Sequence, residues 1–226
     1  MPITKRLHRI AGFTLVELMV AVVVNALIFI FLIGIFTTNL AHYNLILATN
    51  RLNQQMQQIM QMMTAEIRRA GYWANAYTNI GTNTNTNPFM STVSLTDIAV
   101  GGVGNSCITF TYDKNGNGSL PGLSTTTDDE RYGFRLNGTN VQMRPWGAAF
   151  TCSAAATAWE NMNDATITIS ALRFTINSAT LTTGPGAQGT TQRSVDITMT
   201  GYLTNTPSVT KTMTQHVRII NDYFIP

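Results

Sequence analysis

Between positions 13 and 36 the chain carries 24 consecutive residues with no charge except Glu17, and Lys5, Arg6 and Arg9 stand just before them. As a helix, such a run is about 36 Å long, enough to cross a hydrocarbon core of about 30 Å. A carboxylate inside a membrane-spanning helix costs roughly 3 kcal/mol on insertion scales, which makes Glu17 a functional candidate in need of a partner. The plainer reading is that Glu17 lies in the first helical turn, where the positive end of the helix dipole and the interface soften that cost. Asn25 is the second polar residue of the run. Both a hydrogen bond across a helix pair and a backbone or interfacial role are open to it. The basic residues place the leader in the cytoplasm and everything from about Thr37 onward outside the inner membrane.

The boundary between leader and run reads Gly12, Phe13, Thr14, Leu15, Val16, Glu17. An ordinary secretory signal is cut after its apolar stretch at small residues, whereas here the small residue comes first. This arrangement resembles the type IV prepilin signal. The resemblance implies cleavage after Gly12, N-methylation of Phe13 and a mature chain of residues 13–226. The apolar helix is then retained and later packs the core of a filament. It also implies that Glu17 pairs with the terminal amine of a neighbouring subunit and so gives register to helices that would otherwise slide.

The chain has 14 Lys plus Arg against 11 Asp plus Glu, and three of the positive residues belong to the leader. The basic pI therefore reflects a targeting segment and supplies no argument for a nucleic-acid surface. Length allows one globular domain on a helical stalk.

Leu52, Met56, Ile59, Met63 and Ile67 recur at helical spacing, with Asn53, Gln54, Gln57, Gln58 and Gln61 around most of the remaining circumference. That pattern predicts an amphipathic helix whose stripe packs on a sheet. Its methionines suit a core as readily as a promiscuous groove, and core packing is the expectation. Arg68 and Arg69 complement a helix C-terminus and Gly71 is placed to cap it, so the helix is expected to end near Ala70. If continuous from Thr14, it is about 85 Å long. Gly34, Thr37, Thr38 and Asn39 are its weakest helical points and the place for a bend or local melting.

Residues 75–88 read as a connecting loop. Beyond it, alternation predicts strands at 107–112, 131–136, 141–144, 166–176, 195–203 and 209–220, with turns at Asn137-Gly138 and at 205–208. The fold class expected is α+β, a long N-terminal helix packed on one C-terminal antiparallel sheet. Its divisions are a leader at 1–12, a membrane or filament-core helix at 13–36, an amphipathic helix at 37–71 and a β-rich head at 72–226.

Glu66, Arg68, Arg69, Ala70, Gly71 and Tyr72, the segment 107–113, Gly133 to Leu136, Cys152 followed by Trp159, and the closing 217–222 resemble the PilW family of minor pilins. The loops at 75–88 and 178–192 carry no such likeness. The resemblance implies a pilin-like fold and co-assembly with other minor pilins and the major pilin. It further implies processing by the prepilin peptidase and methyltransferase, and an inner-membrane assembly platform. The location implied is the bacterial inner membrane, with the head periplasmic, and then an extracellular pilus.

Cys107 and Cys152 are the only cysteines. In an oxidising compartment an even pair reads first as a disulfide; a nucleophilic Cys with His216 or His42 is the sharper alternative, but neither His has a catalytic neighbourhood. Asp113-Lys-Asn-Gly-Asn-Gly resembles the opening of a calcium loop, with oxygens at Asp113, Asn115 and Asn117. Ser124 stands where the bidentate glutamate belongs, leaving Asp128, Asp129 and Glu130 as substitutes. Turn chemistry alone accounts for the repeat, and no metal or other cofactor is expected. No nucleophile motif or phosphate-binding loop occurs, so an enzyme is not expected. The function expected is priming or promoting type IV pilus assembly, at the pilus tip. The alternatives are a minor pseudopilin of a type II secretion system and a pilin that binds DNA or a surface.

Overall fold

The computed structural model describes residues 12–79, 84–90, 98–122, 128–153, 159–182 and 189–225, with backbone alone at 98–99 and 223–225. The basic leader residues, Ser124 and residues 183–188 lie outside the described set. The helix α1 runs Leu15–Ile67, and the chain divides into two compact units at Ala48/Thr49.

The first unit holds the N-terminal stretch of α1. No side chain from 13 to 47 is buried, and the large apolar ones range from 42% exposed at Leu45 to 83% at Phe13. Apolar surface left uncovered on this scale must be covered by lipid or protein, because burial contributes about 25 cal/mol per Å². Residues 34–39 are helical throughout. Thr37 and Thr38 both donate to the Gly34 carbonyl, at 3.0 and 2.9 Å, so the weakest point of the sequence is bridged by side chains.

The second unit begins with the amphipathic part of α1. Leu52, Met56, Ile59, Met63 and Ile67 are buried, together with Met60, as the period requires. Among the described residues the strands of this unit form two antiparallel sheets, where the sequence predicts one. The first has order β1 (Ile98–Gly101), β2 (Cys107–Thr111), β3 (Arg131–Asn137), β4 (Asn140–Met143), β5 (Glu160–Asn161). The second has order β6 (Ile167–Thr182), β7 (Gly189–Leu203), β8 (Thr206–Arg218), and β9 (Tyr223–Ile225) also pairs with β7. The chain breaks its ladder between β5 and β6 because Asn163 and Asp164 turn it there. Asn163 Nδ2 donates to the Ile167 carbonyl at 2.8 Å and its Oδ1 accepts from Val141 N at 2.8 Å, so one side chain bonds the backbone of both β4 and β6 at the turn.

Three expectations shift. The helix ends at Ile67, three residues before Ala70, and continues as a tighter turn in which Arg69 N and Ala70 N bond to carbonyls three residues back. Gly71 has φ +74°, as a cap requires, but its amide donates to Thr111 O on β2 at 2.8 Å. The terminal carbonyls are taken by Asn221, whose amide donates to Arg69 O and Ala70 O, and by Ile220 N, which donates to Arg68 O. Arg69, beyond the helix, faces Glu66 at 3.7 Å and the Tyr112 ring.

The predicted loop at 178–192 is largely strand. β6 and β7 pair continuously from Ile176↔Val195 to Thr182↔Gly189. Both faces of β6 are exposed there, so no alternation marks it. The turn between β7 and β8 is Thr204-Asn205, earlier than predicted, and the hairpin expected at Asn137-Gly138 turns one residue later, at Gly138-Thr139, with Gly138 at φ +60°.

Candidate functional site

At the N-terminus of α1, Thr14 caps the helix. Glu17 N donates to Thr14 Oγ1 at 3.3 Å, and the Thr14 hydroxyl donates back to Glu17 Oε2 at 3.4 Å. This is the Thr-x-x-Glu spacing of a capping box, a signal present in the sequence. Gly12 and Phe13 lie just outside the helix and are exposed. Glu17 is thus the carboxylate of the first turn on an otherwise apolar surface. Among the described residues no cation pairs with Glu17, which in an apolar setting keeps open the need for a partner. Asn25 is exposed on the same helix.

In the head, Cys107 and Cys152 form a disulfide with Cα atoms 5.7 Å apart. It joins the start of β2 to the segment after β4 and packs on Ala148 and Trp159. Both thiols are consumed, which removes the cysteine nucleophile. His216 lies on β8, in the other sheet from the disulfide's β2, with Nδ1 2.6 Å from Asp196 Oδ1, and His42 is exposed on α1.

The loop from Asp113 to Gly118 is closed by its own side chains. Asp113 is buried and accepts from Gly116 N at 2.7 Å, Gly118 N at 3.0 Å and Ala74 N at 3.0 Å. Asn115 Oδ1 accepts from Asn117 N, and Asn117 Oδ1 from Ser119 N. The three substitutes for the missing glutamate separate cleanly. Asp128 is exposed; Asp129 is buried against Arg144 at 2.8 Å and Arg131 at 3.4 Å; Glu130 is buried and lies on the loop. Glu130 Oε1 accepts from Lys114 N at 2.6 Å and Asn115 N at 3.1 Å. Burial pushes the Glu130 carboxyl above the usual range, and the charges of Asp113 and Asp128 add to this against the pull of the Asn115 and Lys114 amides. Among the described residues, no three His, Cys, Asp or Glu side chains stand close enough together to hold a metal.

A groove of about 420 Å³ opens between α1 and the first sheet, with Met62, Tyr112, Tyr132 and Trp146 on its walls. Met62 and Trp146 are roughly half exposed. Sequence reasoning missed this surface because its residues come from four separate segments.

An apolar N-terminal helix, continued by an amphipathic stretch packed on antiparallel sheets, defines a pilin-like protein. Residues 46–219 match the family described as prepilin peptidase-dependent protein B, and the chain belongs to that family. Comparison with curated proteins and with solved structures finds no match. The family places the chain among type IV pilus-related, pilin-like proteins. Its matched region begins after the apolar run, so the reading of Gly12, Phe13 and Glu17 rests on the sequence and the helix geometry alone.

Proposed function

We propose that this chain is a minor pilin of the PilW type that primes or promotes type IV pilus assembly, without enzymatic activity of its own. The observation that carries this is the wholly exposed, largely apolar surface of residues 13–47, in which Glu17 near the start is the one carboxylate. In the inner membrane, lipid covers that surface. After extraction, the helices of other minor pilins and of the major pilin replace lipid at little cost, since both are apolar. Cleavage between Gly12 and Phe13 by the prepilin peptidase creates a terminal amine two residues before the helix. That methylated amine on one subunit is the partner for Glu17 on another, and the pair fixes the axial register of the assembly.

The head then selects partners through the groove surface at Met62 and Trp146. Placement at the pilus tip follows from a head that caps the first layer of subunits. The inner-membrane assembly platform supplies the extraction. The neutral charge balance of the chain beyond the leader gives no support to DNA binding.

The test is surface pilus yield and twitching in a deletion strain, repeated with retraction disabled. Pili absent in both backgrounds mark a required priming subunit, and pili restored without retraction mark a promoter of assembly. Unchanged pili with lost exoprotein secretion would instead assign the chain to a type II secretion pseudopilus. Normal piliation with lost adhesion or DNA uptake would assign it to ligand binding.

A further inference from the structure

Glu130 has an unusual environment. Its side chain is wholly buried, Oε1 receives two backbone amides, and Oε2 is buried with no hydrogen-bond partner. A buried acceptor left unpaired is costly, more so when charged, and such a group calls for an explanation. The backbone shows how it arrives there. Tyr112 N donates to Glu130 O at 3.3 Å, extending the β2–β3 ladder by one pair beyond Thr111↔Arg131. That step sets Glu130 beside Asp113, and the amides of Lys114 and Asn115 hold its carboxyl against the loop.

Asp113 is the second buried carboxylate of the loop. Four lone-pair sites are available on an ionised carboxylate, and three donors reach this one. No lysine or arginine pairs with either group among the described residues. Asp129 takes Arg131 and Arg144, and the Lys114 ammonium lies over the Trp146 ring at 5.3 Å. Two adjacent buried carboxylates without a cation, one with an oxygen wholly unused, form a receptor for positive charge. The same loop offers hard oxygens at alternate positions, the amide oxygens of Asn115 and Asn117, each holding one backbone amide and keeping a second lone pair, with Gly118 at φ +73° to turn the chain. Hard oxygens from alternate residues, completed by a carboxylate from later in the chain, suit calcium. Magnesium demands stricter geometry and sheds water reluctantly.

We propose that Asp113, Asn115, Asn117 and Glu130 form a calcium site, in which Glu130 supplies from β3's approach the carboxylate that the loop's own sequence lacks. Calcium binding locks the loop from Asp113 to Gly118 against Glu130 at the end of β2. Waters complete the shell, as an exposed rim at Asn115 and Asn117 allows.

The test uses the full chain in detergent micelles, stripped with chelator and then titrated with calcium. The expected result is calorimetric binding and a melting temperature raised by about 3 °C or more in millimolar calcium, with magnesium ineffective. Terbium provides a local readout, because the Trp73 indole donates to Gly118 O at 2.9 Å and stands ready to sensitise it. Terbium luminescence excited through tryptophan should rise and be displaced by calcium. Glu130→Gln should abolish both responses. Asn117→Ala, at an exposed position that does not threaten folding, should weaken them at least about tenfold, and Asp128→Asn should leave them intact. No heat, no thermal shift and no sensitised terbium would overturn the proposal. So would a Glu130→Gln protein that is more stable than the parent and still responds to calcium.

Discussion

The hydroxyl of Tyr112 donates to Glu66 Oε2 at 2.6 Å, binding the end of β2 to the last turn of α1. Glu66 also faces Arg69 at 3.7 Å, so the carboxylate keeps one partner if the phenol is lost. Hydrogen bonds to charged groups are worth about 1.5–3 kcal/mol, and the remaining partner offsets part of the loss. Tyr112→Phe is therefore expected to lower the stability of the full chain in micelles by about 1–2 kcal/mol in a urea titration. An unchanged midpoint would show that the bond is replaced by water.

Tyr112 stacks on Tyr132 with ring centroids 4.3 Å apart. Burial raises both phenols above their ordinary pKa, Tyr112 further through Glu66 and Tyr132 further through Tyr112. A raised acid contributes its stability in full below the unfolded-state value near 10 and loses it as pH climbs toward the folded value. Absorbance titration near 295 nm should show these two phenols ionising together with the loss of folded structure. Ionisation of Tyr112 and Tyr132 near pH 10, with the fold intact, would contradict the burial.

Asp164 ties the turn before β6 to α1. It accepts from Gln55, and Arg51 Nη2 lies at 2.9 Å. The Thr166 hydroxyl, then its amide, Gln55 and Arg51 hold the Asp164 carboxyl below the usual range against the opposing effect of burial. A depressed carboxylate gives stability that is present above the unfolded value near 3.9 and is lost as pH falls through the folded value. Asp164→Asn should thus be less stable than the parent at neutral pH, with the gap narrowing below about pH 4. Denaturant titrations at the two pH values measure it, and a gap that stays constant would remove the charge from the explanation.

The stripe from Leu52 to Ile67 was legible because a 3.6-residue period reports burial directly, and all five of its members are buried. The outer half of the β6–β7 hairpin was not, because its strands have water on both sides of β6 and pair through groups such as Thr180 and Thr191, whose hydroxyls lie 2.9 Å apart. A strand held by its ladder and by polar cross-strand pairs leaves no apolar alternation to read. β5 is two residues long and β1 four, below the length at which a pattern exists. In the Asp113 loop the ligand types were readable at close spacing. The role of Glu130 depends on a one-pair extension of β2–β3 that sequence does not display. The two-sheet division has the same origin, since Asn163 ends one ladder by side-chain bonds to backbone.

Gly71 holds φ +74°, and a Cβ placed there would stand 2.5 Å from Met90 Cε. The methionine end is flexible and can yield, so the backbone conformation is the larger cost, about 1–2 kcal/mol for an L-residue in the left-handed region. Gly71→Ala is expected to destabilise the chain by at least that amount, and adding Met90→Ala should not restore it. Full rescue by the second substitution would assign the cost to the contact.

Glu17 has two roles on offer, and Thr14 separates them. If the carboxylate serves the helix through its cap, Thr14→Ala removes the same interaction and should reproduce the effect of Glu17→Ala, since loss of a cap costs about 1 kcal/mol. If Glu17 instead meets the terminal amine of a neighbour, charge is what matters, and Thr14→Ala should assemble normally while Glu17→Ala and Glu17→Gln fail. Membrane insertion and cleavage should persist in every variant, because the apolar run and Gly12 are untouched. Immunoblots of whole cells report processing, and sheared pili report incorporation. The expected outcome is processed protein in all strains, with incorporation reduced at least about tenfold in both Glu17 variants and preserved in Thr14→Ala, because an uncompensated amine in an apolar packing carries the insertion-scale cost of roughly 3 kcal/mol. Normal incorporation of Glu17→Ala would remove the register role and leave Glu17 as a capping residue.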